Sequence, residues 1–277
     1  MSIPKSALLR HSTSSRAYLT YFKYVPSPPS FQSPGIVFIP GFQSTFLTSN
    51  KAHYLYRFCT AHNPPLSYLT YDHFAHGSSP GHLRHASIGL WLHELGTMLN
   101  AYTSGPQILV GSSMGAWLAL LAATKEEEGM ARIRKRIAGI VGVGASYNFT
   151  ERLLKEEVPN EHTEDRDYVH RRPSKYSETG YYDVPVSMML DSREWLLPEI
   201  GKIEVGCPVV FVHGTKDEDA HYEDVLKLAA RIDGKVKVVT VECGDHRLSK
   251  EEDLLTVDNV VEEMVKQIGN VTDSNVN

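Results

Sequence analysis

The chain has 277 residues, of which 42% are hydrophobic and 22% charged, and a formal net charge of −5. This is the composition of an ordinary folded protein, and so small a net charge argues against nucleic acid or an anionic membrane as the main partner. Three cysteines without C-x-x-C spacing predict neither a disulfide framework nor a structural zinc site, which favours a reducing compartment. The apolar runs are far shorter than the roughly 18 residues of a membrane-spanning helix, so we expect no stable membrane insertion.

The N-terminal residues 1–16 have two interpretations. No Asp or Glu occurs before Asp72, and the segment is basic and rich in serine, as organelle transit peptides are. The alternative is a flexible N-terminus on a cytoplasmic protein. The stretch RAYLTYFKYV at 16–25 already has the pattern of a first strand, so any leader is short.

Short β-branched apolar runs alternate along the chain with longer stretches of helical spacing. The predicted strands after the first are Ile36–Ile39, Leu66–Tyr71, Gln107–Val110, Ile137–Val143, Pro208–Val212 and Val236–Val241. The predicted helices cover about 49–62, 88–101, 114–124, 219–233 and 251–268. Because the apolar runs are nearly continuous, both faces of each strand are expected to be covered. The pattern predicts an α/β fold with a doubly wound, mostly parallel sheet, whose functional residues lie along the carboxyl ends of the strands.

The alternation stops at about 148–206, where charge is high and several Tyr and Pro residues occur. So long a gap inside a compact domain needs structure of its own, and we expect a mostly helical lid insertion over the strand ends. The folded domain is therefore predicted over 17–270, with a flexible tail at 271–277. The charged run at 125–136 is typical of a solvated helix end.

The stretch GSSMG at 111–115 fits the pattern G-x-S-x-G, which alone is a weak signal. It follows the apolar run QILV and leads directly into MGAWLALLAAT, which gives the strand, sharp turn and helix of a nucleophile elbow. Gly111 and Gly115 leave room for close chain segments, and the turn directs the Ser113 hydroxyl into open space. The alternative is a serine that only caps the following helix.

A serine nucleophile needs a base to accept its proton and a carboxylate to orient that base. Asp217 follows the predicted strand in PVVFVHGTKDEDA, and His246 follows the next strand, in ECGDHRLS. Both loops open at the same edge as Ser113, so we predict that Ser113, Asp217 and His246 form a catalytic triad in the chain order Ser, Asp, His. Four neighbouring residues are alternatives for the acid or the base: Glu218, Asp219, His213 and His221.

Two backbone N–H groups are needed to stabilise the oxyanion of a tetrahedral intermediate. One is expected at Met114, the residue after the nucleophile. The other is expected at Phe42, in the loop of GIVFIPGFQS, with its neighbour Gln43 as the alternative. An ordinary Pro-Gly turn is the structural interpretation of this loop.

Histidines are dense between His53 and His93, and two pairs have H-x-x-H spacing: His73 with His76, and His82 with His85. The loop DHFAHGSSPGHLRH that holds both pairs contains no cysteine and few carboxylates, so we predict no metal site, and solvated loop histidines are the simpler interpretation. The stretch YDHFAHGSSPG is expected to rim the pocket beside the nucleophile.

Five stretches resemble a known family: SPGIVFIPGF, GPQILVGSSMGAW, RPSKYSETG, CPVVFVHGTKDED and GDHRLS. With them the chain resembles the α/β-hydrolase superfamily and, within it, the abhydrolase-domain-10 type of mitochondrial acyl-glucuronide esterases and palmitoyl-protein thioesterases. The resemblance implies the same nucleophile, acid and base, at Ser113, Asp217 and His246, and a mitochondrial location. Ala116 stands where such proteins often have a second glycine. The histidine-rich loop also replaces a plainer one, which bears on substrate range rather than on reaction type.

Together these residues predict a serine esterase or thioesterase that works through an acyl-enzyme and needs no metal or organic cofactor. The expected substrates are small-molecule esters, including acyl glucuronides, or S-acylated proteins, so that depalmitoylation is one expected activity. A general carboxylesterase, a serine peptidase of the same fold and a non-catalytic scaffold with the hydrolase fold are the alternatives. The sequence indicates no particular oligomeric state.

The lid insertion contains two groups of side chains that suit such substrates. An apolar group could hold an acyl chain: Met188, Met189, Leu190 and Trp195. A cationic group could face an acidic leaving group: Arg171, Arg172 and Lys175. Amphipathic helices that pack on a core have the same pattern, which is the alternative interpretation.

Overall fold

A central sheet organises the computed structural model, which describes residues 2–5, 8–12, 18–27, 33–125 and 130–274, with side chains up to residue 269. The strands in these ranges are β1 (Leu9–Ser12), β2 (Tyr18–Tyr24), β3 (Gly35–Ile39), β4 (Tyr68–Tyr71), β5 (Gln107–Ser112), β6 (Ile137–Val143), β7 (Val169–Pro173), β8 (Tyr181–Pro185), β9 (Ile203–Glu204), β10 (Val209–Gly214), β11 (Ile232–Asp233) and β12 (Val236–Val241). The helices are α1 (Asn50–Ala61), α2 (Ile88–Tyr102), α3 (Met114–Thr124), α4 (Met130–Arg134), α5 (Phe149–Glu156), α6 (Val186–Asp191), α7 (Tyr222–Arg231) and α8 (Glu251–Ser274). No described helix is both long and apolar enough to cross a membrane.

Eight strands form the main sheet in the order β1-β2-β4-β3-β5-β6-β10-β12. The strands from β4 to β12 in this order are parallel, while β2 pairs antiparallel with both β1 and β4. The chain therefore forms the first edge with β1 and β2, adds β3 near the centre, returns with β4 between β2 and β3, and then adds β5, β6, β10 and β12 in order towards the other edge. This confirms the predicted α/β class with a doubly wound, mostly parallel sheet, and it brings the carboxyl ends of β3, β5, β10 and β12 to one side.

Helices cover both faces of the sheet. On one face α1 packs against α8, and their apolar side chains join those of the sheet in a continuous core. On the other face α2 packs against α3, and α7 adds Val225 and Leu228 to the same core. Helix α3 lies between α2 and the strands, so its residues 114–123 are all buried, which accounts for its apolar character around the whole circumference.

The insertion at 148–206 differs from the mostly helical expectation. It contains the helices α5 and α6, but a two-stranded antiparallel hairpin, β7 with β8, lies between them. Strand β7 of this hairpin alternates between exposed and half-buried residues, unlike the fully buried β3 of the main sheet. The two strands are too short and contain too many charged residues to be recognised in the sequence by their periodicity.

The ends of the chain also add detail to the prediction. Residues Leu9–Ser12, inside the segment predicted as leader or flexible N-terminus, form the edge strand β1 and pair with β2. Residues 13–17, where the leader was expected to end, lie outside the described ranges, as do residues 275–277 of the predicted tail. Helix α8 extends to Ser274, past the predicted end of the domain at residue 270.

The turn between β5 and α3 depends on two glycines. A Cβ atom on Gly115 would lie well inside van der Waals contact with the backbone carbonyl of Ile39 at the end of β3. A Cβ atom on Gly111 would overlap the backbone of Gly115 in the same way. Because the obstructing atoms belong to the backbone, no rotamer change can relieve the overlap. The first turn of α3 can therefore approach the sheet only with glycine at both positions.

We predict that Gly115→Ala destabilises the fold by about 3 kcal/mol or more, since the added methyl group forces backbone movement in a packed region. Gly269→Ala, in α8, is the matched control: its Cβ meets nothing within 4 Å, and alanine favours a helix by up to about 1 kcal/mol. Urea denaturation monitored by circular dichroism measures both. Equal unfolding midpoints for Gly115→Ala and wild type would contradict the prediction.

Candidate active site

Ser113 lies in the sharp turn between β5 and α3, at the carboxyl edge of the sheet. Its backbone has φ 52° and ψ −116°, a conformation that residues other than glycine seldom adopt. The Ser113 N–H donates to the carbonyl of Val143 at 2.9 Å, which ties the turn to β6. The side chain makes no hydrogen bond to the first turn of α3, so the capping interpretation is wrong. Its hydroxyl remains available for another partner.

The predicted base, His246, contacts this hydroxyl, and the predicted acid, Asp217, contacts the base. Nε2 of His246 lies 3.0 Å from Oγ of Ser113, and Nδ1 of His246 lies 2.8 Å from Oδ2 of Asp217. Asp217 follows β10 and His246 follows β12, so the parallel register brings three distant parts of the chain together. The carboxylate of Asp217 is fully buried, whereas the His246 side chain is 17% exposed. The arrangement allows His246 to accept the Ser113 proton while Asp217 holds its Nδ1–H.

Asp217 accepts hydrogen bonds on both carboxylate oxygens. Oδ1 accepts from the backbone N–H groups of Asp219 at 3.0 Å and Ala220 at 2.8 Å. Oδ2 is also 3.2 Å from Nε2 of the fully buried His213. Burial alone would raise the pKa of Asp217, but the hydrogen bonds from His213 and His246 outweigh it and hold that pKa well below its ordinary value. Asp217 is therefore ionised at neutral pH.

Glu218 and Asp219, the two acidic alternatives, are engaged elsewhere. Asp219 accepts a hydrogen bond from Nη1 of Arg172 at 3.1 Å, and Glu218 pairs with Lys175 at 2.9 Å. Neither carboxylate is hydrogen-bonded to the predicted base. His221, the remaining alternative base, is exposed and immediately precedes α7.

The loop after β3, residues 40–44 and called the glycine loop below, lies directly against Ser113. A Cβ atom on Gly41 would be 3.0 Å from the carbonyl oxygen of Ser112 and 3.1 Å from Cβ of Ser113. This spacing is tighter than ordinary packing, so the absence of a side chain at Gly41 permits the approach. The glycine loop thus forms one side of the space in front of the nucleophile.

Two backbone N–H groups beside this space are free to donate. Met114 begins α3 next to Ser113, and Phe42 lies in the glycine loop; no described residue accepts a hydrogen bond from either N–H. Gln43, the alternative donor, has a φ of 54° in a turn that the Ser44 N–H closes on the Gly41 carbonyl at 3.2 Å. The loop is therefore more than a simple Pro-Gly turn, because its strained backbone faces the nucleophile.

Asp72, at the end of β4, braces the segment that follows the glycine loop. Its buried carboxylate accepts from the N–H groups of Phe46 at 3.0 Å and Ser78 at 2.9 Å, and from the Thr45 hydroxyl at 3.0 Å. Burial raises its pKa to about 6, although these hydrogen bonds oppose the rise. The sequence analysis assigns Asp72 no individual role. The feature that could have indicated one is its position: it is the first acidic residue of the chain and directly follows an apolar strand.

The expectation of solvated loop histidines is wrong for His73 and His76, which are 0% and 2% exposed. Burial lowers the pKa of His73 to about 4 and that of His76 to about 3, so both rings are neutral at physiological pH. Nε2 of His73 lies 3.2 Å from the carbonyl of Pro40, at the start of the glycine loop. His82 and His85 are exposed, as expected.

A cavity of about 240 Å³ opens beside Ser113 and His246. One part of its lining, called the apolar wall below, comes from the glycine loop and the insertion: Phe42, Phe149, Leu153 and Tyr182. The rings of Phe42 and Phe149 are 5.5 Å apart, and those of Phe42 and Tyr182 are 6.4 Å apart. The stretch YDHFAHGSSPG at 71–81 does not line this cavity, contrary to expectation. Its His73 ring contacts the Pro40 carbonyl at the start of the glycine loop instead.

The rest of the lining, called the polar wall below, includes side chains from the start of α1, the hairpin and the loop after His246: Thr48, Ser49, Lys51, Tyr176 and Arg247. Nζ of the buried Lys51 donates to the carbonyl of Arg247. Burial lowers the pKa of Lys51 to about 8, with the positive charge of Arg247 adding to the effect. The guanidinium of Arg247 stacks on the ring of Tyr176, 4.2 Å from its centre.

The apolar group predicted to hold an acyl chain does not line the cavity. Met188 and Met189 are fully buried in the core, and Leu190 and Trp195 pack against its edge. The alternative, packing of an amphipathic helix on the core, is the correct interpretation of this segment.

The predicted cationic group is largely neutralised by neighbouring carboxylates. Arg171 pairs with Asp183 on the exposed side of the hairpin, and Lys175 is paired in the same way with Glu218. Arg172 does line the cavity, but it is bound by both Glu157 and Asp219.

One group of residues in the described part of the chain has the composition of a metal site. Potential ligand atoms of Asp217, Asp219 and His246 lie within 4.8 Å of one another. Two of these residues are already hydrogen-bonded to each other, and Asp219 is paired with Arg172. The group therefore has the geometry of a proton-transfer chain rather than that of an open cation site.

The part of the sequence that forms this site also identifies the protein family. A sequence model described as the alpha/beta hydrolase family matches residues 36–258, a range that contains the glycine loop and all three hydrogen-bonded residues. The chain belongs to the α/β hydrolase family. This confirms the predicted resemblance and supports an enzyme that hydrolyses esters or thioesters.

Curated relatives agree with this assignment. The mitochondrial palmitoyl-protein thioesterase ABHD10 of Rattus norvegicus is 30% identical over 242 residues, which cover 87% of this chain and 78% of that protein. The protein of the same name from Mus musculus is 31% identical over 240 residues, which cover 84% of this chain and 77% of its own length. The narrower resemblance to the abhydrolase-domain-10 type is therefore also confirmed.

Solved structures extend the similarity to nearly the whole chain. The mouse alpha/beta hydrolase domain-containing protein 10 has a TM-score of 0.79 and 28% identity, and the match covers 94% of this chain and 99% of that one. A putative hydrolase from Agrobacterium vitis S4 has a TM-score of 0.80 and 25% identity, covering 93% and 97%.

We predict that Asp72→Asn lowers the free energy of unfolding by about 1–3 kcal/mol, because the amide NH2 then faces N–H and O–H donors. The measurement is urea denaturation at pH 7.5, where Asp72 is ionised. Asp167→Asn is the matched control: its side chain is 91% exposed and pairs with Arg84, so a change within about 0.5 kcal/mol is expected. Equal stability of the two variants would show that Asp72 is not a brace.

Proposed function

We propose that the protein is a serine hydrolase of acyl esters and thioesters, with Ser113 as nucleophile, His246 as general base and Asp217 as the acid that orients it. One observation carries the proposal: the unbroken hydrogen-bonded chain from Oγ of Ser113 through the imidazole to a buried carboxylate. A capping serine or a structural histidine has no need of such a chain at the mouth of a cavity.

The reaction begins when Oγ of Ser113 attacks the acyl carbon and its proton moves to Nε2 of His246. The oxyanion that forms accepts hydrogen bonds from the free N–H groups of Phe42 and Met114, so the glycine loop acts as the oxyanion loop. Nε2 then gives its proton to the leaving oxygen or sulfur, and the acyl-enzyme remains. A water activated by His246 hydrolyses this intermediate and regenerates the serine. Throughout, the ionised Asp217 stabilises the imidazolium.

The two walls of the cavity support a division between acyl and leaving group. The apolar wall suits an acyl chain, and the polar wall suits a polar leaving group beside Lys51 and Arg247. We therefore propose substrates such as S-acylated proteins and acyl glucuronides, the first of which agrees with the name of the rat and mouse relatives. The same name, with the basic and serine-rich N-terminus, supports a mitochondrial location.

We predict that Ser113→Ala abolishes labelling by a fluorophosphonate probe, which reacts only with activated serines. Asp217→Asn should lower kcat by about 10⁴-fold through loss of the correct histidine tautomer. His246→Ala should also remove labelling. Ser146→Ala is the matched control, since this serine lines the same cavity and should label like wild type.

The outcomes separate the proposed function from its alternatives. No labelling of folded wild type at any probe concentration would favour the non-catalytic scaffold, whereas labelling of Ser113→Ala would reject Ser113 as the nucleophile. Faster turnover of amides than of matched oxoesters and thioesters would favour a peptidase. Equal turnover of all oxoesters with no thioester turnover would favour a general carboxylesterase.

We predict that Leu153→Ala, which shortens the apolar wall, lowers the preference for octanoyl over acetyl thioesters about tenfold, because buried CH2 groups lose their contacts. The ratio of the two kcat/KM values is independent of the fraction of folded enzyme. Leu190→Ala is the matched control, since Leu190 packs outside the cavity. An unchanged ratio in Leu153→Ala would mean that acyl chains bind elsewhere.

A further inference from the structure

Two buried titratable side chains lie behind the oxyanion loop, on the side away from the cavity. Glu94, on α2, is 5% exposed, and His73, just after β4, is completely buried. Nε2 of His73 is 3.2 Å from the Pro40 carbonyl, where the oxyanion loop begins. The proposed mechanism uses neither residue, yet Pro40 is only two positions before the N–H donor of Phe42.

The hydrogen bond to Pro40 fixes the tautomer of His73. Nε2 must carry the ring proton to donate to a carbonyl, so Nδ1 carries a lone pair. Nδ1 is buried and has no hydrogen-bond partner among the described residues. The carboxyl oxygen Oε2 of Glu94 is 3.8 Å away, and a movement of less than about 1 Å brings it to hydrogen-bond distance.

The proton that this lone pair requires is available on Glu94. Burial raises the pKa of Glu94 to about 8, although the N–H of Phe74 donates to its Oε2 at 3.1 Å. His73, in contrast, has a lowered pKa, so at neutral pH both side chains are uncharged and the carboxyl group is the donor.

Few other titratable groups face this pair. Tyr71 and His76 lie beside His73, with ring centres 4.9 and 5.7 Å from it; burial raises the Tyr71 pKa and lowers the His76 pKa, so both are neutral. Helix α2 adds His93, which is exposed. The sequences of α3 and of residues 40–44 contain no charged side chain. The charge of the pair therefore depends mainly on Glu94.

We propose that Glu94 and His73 are positioning residues for the oxyanion loop: the carboxyl group of Glu94 donates to Nδ1 of His73, and Nε2–H of His73 holds the Pro40 carbonyl. The inference rests on the proposed function, because it gives the loop its catalytic meaning. Neither residue touches the reacting atoms, and both act through the position of Pro40.

The pair makes this support dependent on pH. When Glu94 loses its proton to solvent, its carboxylate accepts rather than donates, and the ring proton of His73 moves from Nε2 to Nδ1 to meet it. Nε2 then presents a lone pair to the carbonyl oxygen of Pro40, and the hydrogen bond that holds the loop is lost. The oxyanion donors are less well aligned in this state, so kcat falls as pH rises through the pKa of Glu94, about 8.

The first test is the pH dependence of kcat in Glu94→Gln, measured with a soluble thioester from pH 6 to 10. The glutamine side chain cannot ionise; with its oxygen turned to accept from the Phe74 N–H, its NH2 donates to Nδ1 at every pH. We therefore expect a kcat near that of wild type at pH 7 and no decline above pH 8. Wild type should decline about tenfold. His93→Gln is the matched control: His93 precedes Glu94 in α2 but is exposed, so this variant should keep the decline. An unchanged decline in Glu94→Gln would overturn the proposal and assign the titration to another group, such as Lys51.

A second variant tests the link to Pro40. His73→Phe removes the donor and should lower kcat about tenfold with little change in KM, at all pH values. Circular dichroism and fluorophosphonate labelling show whether the variant remains folded with a reactive serine. Wild-type kcat in a folded His73→Phe would overturn the positioning role.

A measurement without turnover separates this inference from the proposed function. In ¹⁵N-histidine NMR, His73 should carry its proton on Nε2 at pH 7 and on Nδ1 at pH 9.5, and the change should be absent in Glu94→Gln. The NMR measurement tests the tautomer of His73 and its dependence on Glu94 even in a protein without hydrolase activity. Absent turnover and absent labelling in wild type reject the proposed function, whereas an Nδ1 proton at pH 7 rejects the tautomer relay.

Discussion

The close approach of α3 to the end of β3 is the constraint on which the rest of the site depends. Gly115 lies against the carbonyl of Ile39, where no side chain fits. Because β3 continues directly into Pro40 and Gly41, the contact that sets the turn at Ser113 also sets the position of the glycine loop. Ser113 and the N–H groups of Phe42 and Met114 therefore share a single reference point in the backbone. Their relative position depends on backbone contacts and not on side-chain rotamers.

Burial gives the histidines of this protein different tasks. His246 is partly exposed and lies between Ser113 and Asp217, where it can exchange a proton with substrate or water. His213 is fully buried, and its Nε2 lies between the Ala220 carbonyl, at 2.8 Å, and the same carboxylate, at 3.2 Å. It therefore helps to keep the Asp217 carboxylate ionised. His73 is equally buried, but its Nε2 contacts the Pro40 carbonyl and its Nδ1 lies 3.8 Å from the carboxyl group of Glu94, which suits the positioning role proposed above. The environment rather than the residue type separates these roles.

Strand ends and strict residue spacing are the features that the sequence makes predictable. The parallel sheet, the turn at Ser113 and the loops of Asp217 and His246 can be inferred from apolar runs and from local turn chemistry. The hairpin of the insertion cannot, because its strands are short and charged and carry little apolar periodicity. The bracing by Asp72 cannot, because it joins residues that are far apart in the sequence. The sequence pattern also misplaces Met188 and Met189 in the cavity, because a buried methionine has the same pattern whichever core it joins.

Strand β7 of the hairpin is held by ion pairs that remain partly exposed to water, whereas Val184 of β8 is buried in the core. Arg172 connects β7 to Glu157 and Asp219, and each of these side chains is between 21% and 27% exposed. Contacts of this kind contribute about 1 kcal/mol or less each, far less than the buried backbone packing at the nucleophile turn. Loss of these ion pairs would therefore loosen β7 while the backbone contacts of the Ser113 turn stay in place.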